Sequence, residues 1–170
     1  TNETWGNQAT ITIGGEDAYG MYALWNDGNS EGGYTVRNLA SGDIKTTNTG
    51  AHGMVAEGRK ALGANLGKIA TQGVGAYGMR ALVGATVRNL AKGSIVTSGD
   101  NAHGMVAEGA SDGIPSEAWN YGSIETKGIG AHGMVAQGTS GDIPSKAWNY
   151  GSIETKGKDA YGMYALNGGM

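Results

Sequence analysis

Asn120-Tyr-Gly-Ser-Ile-Glu-Thr-Lys-Gly-Ile-Gly-Ala-His-Gly-Met-Val-Ala136 holds two short runs separated by glycines. Ser123 to Thr126 alternates, is rich in β-branched residues and lies between Gly122 and Gly128, which is how a short strand reads. A turn over Gly128–Gly130 follows, and His132 to Ala136 reads as a second strand. The word Ala-(Tyr/His)-Gly-Met inside this stretch occurs six times, starting at Ala18, Ala51, Ala76, Ala102, Ala131 and Ala160. Each copy begins seven residues after an isoleucine: Ile11, Ile44, Ile69, Ile95, Ile124 and Ile153. The steps from each Met to the next Ile instead vary, at 23, 15, 16, 19 and 19 residues. A unit that fixes the length of one segment and lets another drift is a stacked repeat, with walls of constant length and insertions at a corner. The chain is therefore expected to be a solenoid of about six coils, centred on 11–23, 44–56, 69–81, 95–107, 124–136 and 153–165.

Comparing units decides which face is inside. Met21, Met54, Met79, Met105, Met134 and Met163 never vary, nor does the Ala two residues later, whereas the residue between them is Tyr22, Val55, Arg80, Val106, Val135 or Tyr164. An unpaired arginine cannot line a narrow apolar bore, so that middle column is assigned to water and Met and Ala to the interior. The same comparison points the isoleucines inward, followed two residues later by Thr46, Thr71, Thr97, Thr126 and Thr155. The structural core thus comprises Ile44, Ile69, Ile95, Ile124 and Ile153 with the six methionines. A third short strand precedes Ile: Val36–Leu39, Val87–Leu90, Ala118–Tyr121 and Ala147–Tyr150. Three strands per coil, with the favoured right-handed crossover, make an all-β, single-chain, right-handed parallel β-helix. Six coils at the strand spacing give a rod about 25–30 Å long.

Composition fits. The 33 glycines serve a chain that turns several times per coil, while two prolines and the absence of a three-residue glycine period exclude collagen. Apolar residues at fixed phase exclude disorder. A net charge of −3 with no run of Lys and Arg argues against a nucleic-acid or anionic-membrane surface. No run of 18 apolar residues and no charged-then-apolar leader is present, and neither end reads as a cap, so the 170 residues are expected to form one repeat domain cut from a longer chain.

Candidate chemistry is sparse. His52, His103 and His132 share a position with Tyr19, Tyr77 and Tyr161, with no recurring carboxylate to complete a metal site, so the position is read as corner packing and no metal or other cofactor is expected. Glu125 and Glu154 should stack on an outward face beside Lys127 and Lys156, without a pocket to raise either pKa, so no catalytic residue is assigned. Glu117 and Lys146, at matching positions of two near-identical units, are expected to pair across coils. Trp119, Tyr121, Trp148 and Tyr150 form the densest aromatic group; with Trp25 and Tyr22 they are the binding candidates, although an aromatic ladder sealing the third strand is the favoured reading of the four. The insertions Trp25–Tyr34 and Gly58–Leu66 are the places where a solenoid carries specificity.

The pattern Asn-x-Gly-(Ser/Thr)-Ile-x-Thr-x-Gly-x-x-Ala-(Tyr/His)-Gly-(Met/Ile)-x-Ala, clearest over Asn120–Ala136 and Asn149–Ala165, resembles the repeats in passenger domains of Gram-negative autotransporters. The resemblance runs from Ile11 to Ala165 and implies an intact protein with a signal peptide before this segment and a membrane β-barrel after it. It also implies an extracellular or cell-surface location; the lack of clustered acids on the exposed columns adds the expectation of a non-enzymatic binding passenger, and the length of the coils that of a monomer. Such a passenger would be an adhesin meeting a host surface protein or a glycan, with no nucleic acid or membrane contact in this segment. The alternatives are a released passenger that signals to a host receptor and a polysaccharide-cleaving β-helix enzyme, which would need clustered acids or an Arg/Lys base in a groove.

Overall fold

A computed structural model describes residues 3–25, 33–111, 113–138 and 143–170. The chain winds as a right-handed parallel β-helix of six coils, each giving one strand to each of three six-stranded parallel sheets. The Asn sheet, called after a residue described below, holds Glu3–Asn7, Tyr34–Asn38, Leu62–Asn65, Thr86–Asn89, Glu117–Asn120 and Lys146–Asn149. The Ile sheet holds Thr10–Ile13, Asp43–Thr46, Lys68–Thr71, Ser94–Thr97, Ser123–Thr126 and Ser152–Thr155. The Met sheet holds Tyr19–Leu24, His52–Glu57, Met79–Leu82, Met105–Glu108, Met134–Gln137 and Met163–Leu166. Registry is strict: Ile pairs with Ile at every step of the second sheet. Met pairs with Met throughout the third.

Those columns fill the bore. Ile44, Ile69, Ile95, Ile124, Met54, Met79, Met105 and Met134 are buried, each contributing about 1.5–3 kcal/mol. The terminal coils differ, because each has a neighbour on one side only. Ile11, Met21 and Ile153 are partly buried, and Met163, assigned to the core from the sequence, is 49% exposed. The inward threonines are satisfied locally: the hydroxyls of Thr46, Thr71, Thr97 and Thr126 donate to the carbonyl oxygens of Ala51, Ala76, Ala102 and Ala131 at 2.5–2.6 Å. Burying a hydroxyl without such a partner would cost about 1–3 kcal/mol. The glycine before Met is required by close approach in every coil but the last: Gly20, Gly53, Gly78, Gly104 and Gly133 each lie against the isoleucine and backbone of the next coil. A Cβ on Gly104 would collide with Ile124 and come within 2.6 Å of the carbonyl oxygen of Gly133.

Two sequence expectations need correction. Gly58–Leu66 is not simply an inserted corner: Leu62–Asn65 is the third coil's strand in the Asn sheet, hidden because it reads Leu-Gly-Ala-Asn, without an alternation of large and polar residues. The middle column of the Met strands points away from the bore, and Tyr22 and Tyr164 at its ends are exposed as expected, but its valines are not wet. Val55, Val106 and Val135 are 1%, 2% and 3% exposed. The corner Trp25–Tyr34 lies largely outside the described residues. At a later corner, Ala110–Ser111 and Ile114–Pro115 form a small antiparallel hairpin projecting from the rod.

Candidate functional site

The outer face of the Met sheet is a ladder of rings. Tyr19, His52, Tyr77, His103, His132 and Tyr161 stack in one column with centroid separations of 5.7, 4.8, 5.1, 4.9 and 5.1 Å. Strand spacing alone sets this distance, so any ring at that position meets a ring above and below. The imidazoles add hydrogen bonds: the backbone N–H groups of Tyr77, His132 and Tyr161 donate to Nδ1 of His52, His103 and His132, each at 3.0 Å. An accepting Nδ1 places the ring proton on Nε2 and requires the neutral form. Burial lowers the pKa of His52 and His103 to about 4, helped by Arg80 beside His52 and by His132 beside His103. Burial also lowers that of His132.

In their own column the valines lie between larger side chains, Val55 between Tyr22 and Arg80, and Val106 and Val135 between Arg80 and Tyr164. Arg80 interrupts the valine column without an unpaired charge, since its Nε and Nη2 donate to Glu108 at 3.2 and 2.6 Å and its guanidinium lies 5.6 Å from the Tyr77 ring centre. Tyr22 belongs to this face. Its hydroxyl donates to Glu57 at 2.5 Å, and burial and that carboxylate raise its pKa to about 12.

The outer face of the Asn sheet is different. Its inward side carries Asn7, Asn38, Asn65, Asn89, Asn120 and Asn149, one per coil, and each Nδ2 donates to the next Oδ1 at 2.8–2.9 Å. Its outward column runs Arg37, Ala64, Arg88, Trp119, Trp148 in register. Trp119 and Trp148 stack at 3.9 Å, Tyr121 and Tyr150 at 5.2 Å, and Trp119 and Tyr121 lie near-parallel at 6.4 Å. The four rings therefore make two layers along the rod axis, the inner faces of the layers turned to one another. Beside them Leu66, Leu90, Ala91, Lys92 and Tyr121 line a shallow apolar depression.

Trp25, grouped with these rings from the sequence, is elsewhere. It is 6% exposed in the core at the end of the first Met strand, with Arg59 and Lys60 over its ring at 4.9 and 5.5 Å. A buried ring of this kind is packing, not a contact surface. Tyr22 is likewise on another face, so the six binding candidates do not converge. Glu117 and Lys146 are register partners but form no ion pair: Glu117 accepts from Trp119 Nε1 at 3.1 Å, and Lys146 Nζ lies 5.9 Å from the Trp148 ring centre.

On the outer face of the Ile sheet, Glu125 and Glu154 stack as expected of a repeat. Lys156 bridges them at 2.5 and 3.4 Å, with Lys127 3.5 Å from Glu125. The hydrogen bond from Lys156 holds the Glu125 pKa below the usual carboxylate value, so Glu125 has no proton to give at neutral pH. Among the described residues, no three His, Asp or Glu side chains converge as a metal site would require. Nor is any helix among them long and apolar enough to cross a membrane.

Residues 75–170, more than half the chain, match the family model of the BigA third pectate lyase-like domain. The chain belongs to that family. No curated protein and no solved structure matches it. The segment matching the BigA third-domain model includes His103 and His132 of the ring ladder, Arg88, and all four rings of the Trp/Tyr group.

Proposed function

We propose that this BigA-type domain is the β-helical repeat core of an extracellular or cell-surface adhesin-like passenger of the autotransporter kind, acting by binding a host surface protein or glycan. The observation that carries this reading is the outer face of the Asn sheet, where aromatic rings, an apolar depression and exposed cations share one wall on which, among the described residues, no acid–base pair converges. A flat, preorganised, in-register surface serves binding, because its side chains are already ordered and little entropy is lost on contact. Within a longer protein these coils would act as a single-chain, monomeric segment of the passenger. Whether the passenger stays on the cell or is released to signal is a question of processing, not of this face.

The pectate lyase-like description favours one second reading, polysaccharide cleavage. The purified chain should be applied to a glycan array and to cultured host cells, with a reducing-sugar assay run in parallel on any glycan that binds. Retention without new reducing ends is expected. Turnover of a polysaccharide would replace the adhesin by the enzyme reading.

A further inference from the structure

Although the chain carries 15 acidic and 12 basic side chains, its charges are not evenly spread over the rod. Among the described side chains, the outer surface of the Asn sheet and the corner that follows it hold Arg37, Arg88, Lys92 and Lys146 against one acid, Glu117, which is engaged by Trp119. Arg37, Arg88 and Lys92 are exposed and make no side-chain hydrogen bond or ion pair among the described residues, whereas Arg80, Lys127 and Lys156 on the other faces are paired. Arg37 and Arg88 are 51 positions apart in sequence but two coils apart in one column, a separation of about 10 Å. Directly above Arg88 in the same column come Trp119 and Trp148.

We propose that this face binds an anionic polysaccharide laid along the rod axis, its carboxylate or sulfate groups against Arg37, Arg88 and Lys92 and its ring carbons against Leu66, Leu90, Tyr121 and the tryptophans. The inference rests on the binding reading above and names its ligand class. The cations are strung along the axis and do not converge on a point, so the site suits a polymer with repeated charge, not a single small anion. An acidic peptide fits less well. The backbone N–H and C=O groups of the central strands are used in the coil-to-coil ladders, leaving the face nothing for strand addition, and a flexible peptide pays more ordering entropy than a stiff sugar chain. Single-stranded nucleic acid needs successive open ring faces for base stacking along the strand, and here the inner faces of both ring layers are taken by one another.

The test is retention of the whole chain on heparin, on polygalacturonate, on neutral dextran, on poly-glutamate and on oligo-dT, at increasing salt. Binding to heparin or polygalacturonate is expected, weakening as ionic strength rises, because exposed charges are screened; which of the two is held more tightly distinguishes sulfate from carboxylate. The triple substitution Arg37→Gln, Arg88→Gln, Lys92→Gln should lower that affinity by about tenfold or more. Lys45→Gln with Lys68→Gln, on the Ile sheet, should leave it unchanged. Circular dichroism would confirm that both variants keep the fold. Equal loss in both variants, salt-insensitive binding, or equal retention on poly-glutamate or oligo-dT would overturn the proposal. Binding to a neutral glycan or a host protein with no affinity for polyanions would overturn it too, while leaving the adhesin reading standing. No binding to any cell, glycan or protein would remove both.

Discussion

The backbone N–H of Tyr77 donates to Nδ1 of His52 one coil below, at 3.0 Å, while the two rings stack at 4.8 Å. One side chain thus supplies both a ring contact and a polar link between coils, and it does so only as neutral imidazole. His103 repeats the arrangement with His132.

The consequence is a pH dependence with a defined sign. The folded pKa of His52 and His103, about 4, lies below the unfolded value of 6.5. Between those values the unfolded chain binds more protons, so stability is full above pH 6.5 and is lost as pH falls toward 4. Each histidine accounts for a few kcal/mol, since a tenfold change in proton affinity is worth about 1.4 kcal/mol. Thermal unfolding from pH 7 to 4 should show a falling melting temperature, and His52→Tyr with His103→Tyr, using the residue that other coils place there, should flatten it. An equally steep fall in the double variant would show that the acid sensitivity lies elsewhere.

Asn89 is the centre of the asparagine column. It accepts from Asn65 at 2.9 Å, and donates to Asn120 at 2.8 Å. Replacing Asn89 by Ala should cost about 2–3 kcal/mol by urea unfolding, since a buried donor and a buried acceptor each lose a partner. Asn89→Asp should cost more, because it keeps the shape, removes the donor and buries a charge. A variant with Asp as stable as wild type would contradict the column.

Gly104→Ala should destabilise by about 2–4 kcal/mol, because its methyl meets the backbone of the next coil as well as Ile124 and neither can withdraw without breaking the ladder. The same substitution at Gly162, where nothing lies within 4 Å, should be close to neutral. Paired melting curves of the two variants check this.

Trp119→Ala removes a ring from between Arg88 and Trp148 in the outward column. A loss of about 1–2 kcal/mol in stability is expected, from the stacked pair and the area it covers. Tryptophan fluorescence of Trp148 should shift to the red as its inner face becomes wet.

Much of this is legible in the sequence, and the misses have identifiable causes. The Ser123–Thr126 strand lies where its alternation puts it, whereas the third strands end one residue earlier than expected, at Asn38, Asn89, Asn120 and Asn149. The asparagine column ends every third strand, but its distance to the following Ile is four residues in four coils and six in the coils of Asn38 and Asn89, so it does not share the fixed spacing of Ile and Met. Six in-phase asparagines at the end of a strand are nonetheless a usable signal. Arg80 assigns the valine column to water. That argument gives direction correctly and burial wrongly for the three valines, because the pairing of Arg80 to Glu108, which holds its side chain on this face, is not visible in one column read alone.

What the sequence determined is the winding: a seven-residue step held constant through six units can be satisfied only if Ile and Met return to the same place on each turn, so fold class, coil number and bore composition follow from spacing. What only the tertiary structure decided is the character of the outer walls. Arg37 and Arg88 become neighbours at about two strand spacings, four tryptophan and tyrosine rings close on one another, and Trp25 leaves them for the core. The physical reason is that an inward position is constrained by the coil to which it belongs, whereas an outward position takes its environment from the coils above and below and from the corners, which lie tens of residues away along the chain.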